Sequence, residues 1–259
     1  MNKAEVRSLF DLTDKVAVVT GGSGGLGQAA AMGLAACGAS VVITARRVQA
    51  LEEAAADIRA MGGEALPISC DVTDEKSVES MIERAKQELG TVDILITAAG
   101  IARRALAEEM SMDDWDAVMD TNVKGTFLCC KHAGKAMIGR GAGKIITISS
   151  VRAQLGHPLG YAAYGTSKGA INLLTRQLAV EWAKYKINVN SIAPCIFRTP
   201  LTEPVLSDPG SAKVFLDRIP WGRAAEPRDF IGSVIFLASA ASDFITGQVL
   251  YVDGGNVAS

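Results

Sequence analysis

Short apolar runs rich in β-branched residues alternate along this chain with longer stretches in which apolar residues recur every three or four positions. The run at residues 15–20 (KVAVVT) is the kind expected for a strand buried on both faces. Further strands are predicted at 40–45, 65–70, 92–97 (VDILIT), 144–149 (KIITIS), 187–193 and 248–252. Between them, helices are predicted at 26–37, around Leu51, Ala55, Ile58 and Met61, and at 74–89, 112–138, 164–185 and 228–237. Ile171, Leu174 and Leu178 share one stripe of the 164–185 helix, whereas Asn122 sits awkwardly in mid-helix, where its side chain competes for backbone bonds. Regular alternation of strand and helix predicts an α/β fold: a doubly wound parallel sheet of about seven strands with helices on both faces. Ligands of such a sheet bind at the carboxyl ends of its strands. One connection, at about 195–222, is longer than usual and carries Pro200, Pro204, Pro209 and Pro220, which makes it the candidate substrate loop.

Composition narrows the function classes. A 259-residue chain that is 49% hydrophobic can bury one large core, so residues 1–259 are expected to form a single domain. The net charge of -2 leaves no basic footprint, which argues against a nucleic-acid partner. Residues 20–45 lack any charge, but seven glycines divide them, so they read as strand, loop, helix and strand and not as a membrane span. Lys3, Glu5 and Arg7 interrupt residues 1–11, which argues against an export signal. The five cysteines lack C-x-x-C spacing, and the adjacent Cys129 and Cys130 are too close for ordinary disulfide geometry. Free thiols in a cytoplasmic setting fit best. No metal-ligand cluster is visible.

The chemistry-bearing residues stand at the strand ends. Thr20-Gly21-Gly22-Ser23-Gly24-Gly25-Leu26-Gly27 follows one strand, opens an alanine-rich helix and precedes a second strand, which is the context of a Rossmann-type dinucleotide loop. The second strand ends in Thr44-Ala45-Arg46-Arg47, where an acid would bind a ribose and a base would meet a 2'-phosphate. No acid is present, so Arg46 favours NADP, with NAD as the alternative. Ala98-Ala99-Gly100 would let backbone approach a flat ligand, and Ser150 stands at a strand end facing the ligand crevice. Ser149 is the alternative hydroxyl, but alternation turns it the other way. Tyr164 and Lys168 lie one helical turn apart. Acid-base work by a phenol at neutral pH needs a shift of roughly 3 units, and a neighbouring cation acts in that direction.

These residues together resemble the short-chain dehydrogenase/reductase family over nearly the whole chain. The resemblance rests on Thr20 to Gly27 (T-G-x-x-x-G-x-G), Asp71, Asn122 in Thr121-Asn122-Val123, Ser150, Tyr164 with Lys168 (Y-x-x-x-K), and Thr199 after Pro194. It implies that Asn122, Ser150, Tyr164 and Lys168 are catalytic. Tyr164 exchanges a proton with the alcohol or carbonyl oxygen, and Ser150 polarises the carbonyl. Lys168 lowers the tyrosine pKa and holds the nicotinamide ribose, while Asn122 positions a water between Lys168 and solvent. It also implies cofactor contacts from Gly21, Ser23, Gly25, Leu26, Gly27, Arg46, Asp71, Val72, Ala99, Gly100, Ile196 and Thr199, and a homotetramer built on the long helices and the C-terminal strand. Departures from the family pattern are Thr97 in place of asparagine, Cys195 in place of glycine after Pro194, and 14 positions from Ser150 to Tyr164, one more than expected.

Substrate selectivity is expected in Arg152, Gln154, His157, Tyr161 and Phe197, with Arg198 and the loop to Trp221. Ser150-Val151-Arg152 and Glu181-Trp182-Ala183 resemble the branch of gluconate 5-dehydrogenases and related polyol or sugar-acid enzymes. Arg152 would then pair with a substrate carboxylate. The expectation is an NAD(P)-dependent oxidoreductase that interconverts a secondary alcohol and a ketone on a small polyol or sugar acid. The alternatives are a 3-oxoacyl thioester reductase and a non-catalytic cofactor-binding sensor.

Overall fold

Alternate residues of each strand feed two separate cores. Ala17, Val19, Val41, Ile43, Ile94 and Ile96 belong to one apolar cluster, and Val16, Val18, Val42 and Leu95 to the other. Period-two side-chain geometry sends neighbours to opposite faces, so a run that is apolar at every position requires cover on both sides.

The computed structural model describes residues 2–259; Met1, included above in the single domain, lies outside them. The first half of the chain comprises α1 (Lys3–Ser8), β1 (Val16–Thr20), α2 (Gly25–Ala36), β2 (Ser40–Ala45), α3 (Val48–Ala60), β3 (Glu64–Ser69), α4 (Glu75–Leu89) and β4 (Ile94–Thr97). The second half comprises α5 (Met112–Met119), α6 (Gly125–Arg140), β5 (Gly143–Ile148), α7 (Ala162–Trp182), β6 (Ile187–Pro194), α8 (Glu203–Leu206), α9 (Pro209–Leu216), α10 (Pro227–Ala238) and β7 (Val249–Val252). All seven strands form one parallel sheet in the order β3-β2-β1-β4-β5-β6-β7. Leu34 of α2, Ile58 of α3 and Phe230 of α10 fill the first core, and Ile82 of α4, Ala133 of α6 and Leu178 of α7 fill the second. Each fully buried aliphatic side chain contributes roughly 1.5–3 kcal/mol.

Strand order reverses between β1 and β4, and the connections diverge there, which opens a crevice at the carboxyl ends of the strands. Left-handed glycines end two of the helices that flank it, Gly90 after α4 (φ 83°) and Gly141 after α6 (φ 69°).

Three differences from the sequence expectation have local causes. The single helix expected at 112–138 is divided by a π-helical turn at Asp120–Lys124, and Asn122 lies inside it. The extra residue in that turn releases Asn122 from the regular ladder, which resolves its mid-helix awkwardness. The helix expected from residue 164 begins at Ala162, so Tyr164 is already in its first turn. The long loop at 195–222 contains α8 and α9, because Ile196, Val205, Ile219 and Ala224 form a small core of their own.

Candidate active site

The turn after β1 is shaped by close backbone contacts. Gly21 has φ +67°, and a Cβ there would lie 2.8 Å from the Ala99 nitrogen; a Cβ on Gly27 would lie 2.2 Å from the Gly21 carbonyl oxygen. Both positions therefore require glycine. Gly24, by contrast, faces open space. Helix α2 starts behind it with no side-chain cap and no acidic residue in its first turn, so its N-terminal amides and dipole are free for an anion. Gly21, Ser23, Gly25, Leu26 and Gly27 line a cleft of about 420 Å³ together with Ala99, Gly100, Tyr164, Lys168 and Thr199. An uncapped helix start beside an open glycine fits the phosphates of a dinucleotide. Thr199 reaches over this turn from the opposite side, its side chain 3.6 Å from where a Cβ on Gly25 would stand.

A second hollow of about 320 Å³ continues past the end of β2 and is lined by Ser23, Arg46, Arg47, Asp71, Val72 and Gly100. The Asp71 carboxylate accepts the backbone N–H (2.9 Å) and hydroxyl (2.8 Å) of Thr73. Those bonds hold it below the usual carboxylate range against the effect of burial, with the nearby Arg46 cation assisting. Arg47 was not singled out from sequence, yet it alone of the two arginines lines both hollows. The signal was present in its position, one residue beyond Arg46 at the start of α3. Thr97, which stands in place of the family's asparagine, makes no backbone contact through its hydroxyl among the described residues. Its Oγ1 is buried with no partner among the described residues, and Thr20 Oγ1 instead accepts the Ala99 N–H at 3.1 Å. Thr20 ends β1, directly beside β4, and so reaches the amide first.

On the other wall, Asn122 is fully buried. Its Oδ1 accepts the Ile101 N–H (2.8 Å), and its amide donates to the Ile101 carbonyl and to Ser167 Oγ, both at 3.0 Å. This side chain therefore ties the strand-end turn at Gly100 to α7. The Ser149 hydroxyl donates to the Lys168 carbonyl within the core, as alternation predicted, and Ser150 faces the crevice beside Tyr164. Lys168 is 5% exposed, and its ammonium donates to the Ile148 carbonyl at 2.7 Å. Burial pushes Lys168 down to about 8 and pushes the Tyr164 phenol up to about 12, the latter opposed by a hydrogen bond with Ser150. The phenol is thus raised where spacing predicts it lowered: desolvation is the largest effect, opposed by the Ser150 hydrogen bond and the Arg152 charge, while the Lys168 ammonium lies 5.5 Å from the ring centroid.

Beyond Tyr164 lies a smaller cavity of about 210 Å³. It contains three of the expected substrate residues, Arg152, His157 and Tyr161, takes Phe215 and Arg218 from the expected loop, and adds Arg104 and Asn256, which sequence reasoning missed. Those additions come from distant segments that only the folded chain assembles. His157 stacks on Phe215 at 4.4 Å, and burial, aided by the three arginines, pushes it down to about 4, so it is neutral at pH 7.

Other expectations are corrected. Gln154 lies outside the cavity and accepts a hydrogen bond from the Tyr251 hydroxyl at 2.7 Å. Phe197 is buried against Phe230 and lines the larger cleft, because a bridge to Ala225 beyond the end of β6 sets it against α10. Ile196, expected on the cofactor, lines the smaller cavity; alternation with Phe197 turns it to the opposite side. Arg198 pairs with Glu226 at 3.1 Å, and Trp221 is exposed against Arg223. Ser150, Tyr164 and Cys195 line both the cleft and the cavity, so the Tyr164 residue stands at their junction.

Comparison with known proteins agrees with this geometry. A family model described as enoyl-(acyl carrier protein) reductase matches residues 21–256. Gluconate 5-dehydrogenase of Gluconobacter oxydans (strain 621H) is 40% identical over 95% of this chain and 96% of its own. The 2-dehydro-3-deoxy-D-gluconate 5-dehydrogenase of Escherichia coli (strain K12) is 40% identical over 96% and 98%. A solved gluconate 5-dehydrogenase from Burkholderia cenocepacia J2315, in complex with NADP and tartrate, superposes with a TM-score of 0.94 at 37% identity, covering 98% of this chain and 99% of that one. With a matching family model over most of its length and relatives at this identity, the chain belongs to the short-chain dehydrogenase/reductase family.

Proposed function

We propose that this protein is an NADP-dependent oxidoreductase that interconverts a secondary alcohol and a ketone on a polyol or sugar acid. The observation that carries the reading is the position of Tyr164 and Ser150 between a cleft shaped for a dinucleotide and a cavity lined by guanidinium groups. Bound NADP supplies the hydride acceptor or donor. Tyr164 moves the proton at the substrate oxygen, and Ser150 orients that oxygen by hydrogen bond. Lys168, held by the Ile148 carbonyl, faces the ribose side of the cleft, where Asp71 and Val72 border the adenine end. Asn122 has its side-chain amide fully engaged, so a water leading from Lys168 to solvent rests on the backbone that the π-turn frees. Arg46 and Arg47 meet the 2'-phosphate from the hollow that both line.

The solved neighbour in complex with NADP supports the cofactor choice. The acyl-carrier description of the family model keeps a 3-oxoacyl thioester in view, but a cavity bordered by Arg104, Arg152 and Arg218 favours an anion over an acyl chain. Residues 195–222 form the substrate loop. A homotetramer is favoured by apolar side chains left exposed on α6 and α7 (Phe127, Leu173, Val180) and on β7 (Leu250). Five free thiols favour a cytoplasmic setting, and no helix among the described residues is long and apolar enough to cross a membrane.

The test is the rate of nicotinamide absorbance change with NADP and then NAD across polyols, sugar acids and simple alcohols, and with a 3-oxoacyl thioester and reduced cofactor. A sugar-acid or polyol signal with NADP is expected. Turnover of the thioester alone overturns the substrate assignment, and silence despite measurable cofactor binding makes the protein a sensor.

A further inference from the structure

Arg59, Arg84, Arg103, Arg140, Arg198 and Arg223 each pair with a carboxylate. Arg104, Arg152 and Arg218 have no carboxylate partner among the described residues, and all three line the cavity beside Tyr164. The contrast is sharpest at adjacent positions, where Arg103 pairs with Asp114 while Arg104 borders the cavity. The lining contains no aspartate or glutamate.

One of these cations, and the backbone of another, are held in place. Arg152 donates to the Gly156 carbonyl at 3.0 Å, and the carbonyl of Arg218 accepts a bond from the buried Asn256 amide, itself part of the lining. Arg152 is held below its ordinary value by burial and by the Arg218 charge, so the two guanidiniums repel each other across a partly desolvated space. A fourth polar group points to a ligand as well. His157 Nδ1 accepts the Leu159 N–H at 3.3 Å, which places the hydrogen of the neutral ring on Nε2, and Nε2 is buried without a partner.

One carboxylate offers two oxygens and is satisfied by a single guanidinium fork. It would leave the other guanidiniums that line the cavity without a counter-charge.

We propose that the cavity selects a substrate with two anionic ends, a hydroxy-dicarboxylate of sugar-acid length, with Arg152 at the carboxylate nearer Tyr164 and Arg104 and Arg218 at the other. This rests on the oxidoreductase reading above and deepens it. The oxidised carbon is a secondary alcohol between the two carboxylates. It loses hydride to NADP and its hydroxyl proton by way of Tyr164, leaving a keto-dicarboxylate. Ring-stacked His157 donates from Nε2 to a substrate oxygen.

The experiment compares galactarate, gluconate and 6-phosphogluconate, matched in carbon number, as substrates with NADP. It is repeated with Arg104→Gln and Arg218→Gln, and thermal-shift binding of each acid to the NADP complex is measured in parallel. The expected result is a kcat/KM for galactarate about tenfold or more above that for gluconate, carried by KM. Each variant should reduce that ratio by about tenfold. Turnover of gluconate equal to or better than galactarate overturns the proposal while leaving the oxidoreductase reading intact, as does a preference for 6-phosphogluconate. Loss of turnover with all three acids counts against the oxidoreductase reading instead, and the binding order then decides the inference. Tighter binding of galactarate that both variants abolish supports it, and equal binding of the three acids overturns it.

Discussion

The Lys168 ammonium lies 5.5 Å from the centroid of the Tyr164 ring. One turn of α7 joins the two residues, and the same burial drives them in opposite senses, the lysine down to about 8 and the phenol up to about 12. At neutral pH the phenol is therefore protonated, and the lysine remains mostly an ammonium that gives up its proton more readily than a free side chain.

That arrangement has a thermodynamic consequence for folding. Lys168 titrates at about 8 in the fold against 10.5 for a free side chain. Between those values the folded chain binds fewer protons than the unfolded one, so stability rises with pH across this window. The full cost of burying the charge is felt below pH 8. Relative to Lys168→Met, the unaltered protein should gain up to about 3 kcal/mol between pH 7 and 10.5, read from urea unfolding at several pH values. A difference that stays flat with pH would show that the lysine is not desolvated.

Replacing the phenol separates chemistry from binding. Tyr164→Phe keeps the ring that packs in the cleft and removes only the hydroxyl. The expected outcome is a fall in kcat of about 10²–10⁴-fold with NADP affinity retained, measured by steady-state kinetics and cofactor fluorescence titration. Unchanged turnover would remove Tyr164 from the proton transfer.

Two glycines of one turn should respond differently to the same methyl group. Gly27→Ala drives a Cβ to 2.2 Å from the Gly21 carbonyl oxygen and should destabilise the fold by about 1–3 kcal/mol while weakening NADP binding. Gly24→Ala meets no protein atom within 4 Å, so its unfolding midpoint should stay within about 0.5 kcal/mol of the unaltered protein, and any effect should appear in cofactor affinity. Calorimetry on both variants, with and without NADP, distinguishes these outcomes.

Cofactor preference should reside in the two arginines after β2. Arg46→Ala combined with Arg47→Ala is expected to raise the KM for NADP about tenfold or more and to leave that for NAD within about twofold. Equal effects on both cofactors would mean that these charges do not read the 2'-phosphate.

Removing the Asn122 amide tests the tie between the Gly100 turn and α7. Asn122→Ala strands the Ile101 N–H and carbonyl without partners, and a loss of about 2–4 kcal/mol of stability is expected by denaturant unfolding. Asn122→Asp restores only the acceptor and should recover part of that loss.

Much of this molecule could be read from local pattern. Runs such as residues 16–19 are apolar at every position because their strands are covered on both faces, and the helices between them carry one apolar stripe, so strand number and sheet type follow from periodicity. The glycine turn was legible in part for a related reason: Gly27 answers to the Gly21 carbonyl a few residues back, whereas the Ala99 backbone that crowds Gly21 arrives from the end of β4. Tyr164 and Lys168 share a helix face by spacing alone. The rest depends on what distant segments bring together. Arg104 follows β4, Arg218 follows α9 and Asn256 lies near the end of the chain, and no local pattern marks them as neighbours of Arg152. Phe197 and Gln154 were misplaced because side-chain direction at a strand end or in a short turn is set by packing against Phe230 and Tyr251, not by neighbouring residues. The tyrosine pKa went the same way. Sequence spacing supplied the nearby cation, but burial is a property of the whole fold, and its desolvation cost is the largest effect on the phenol.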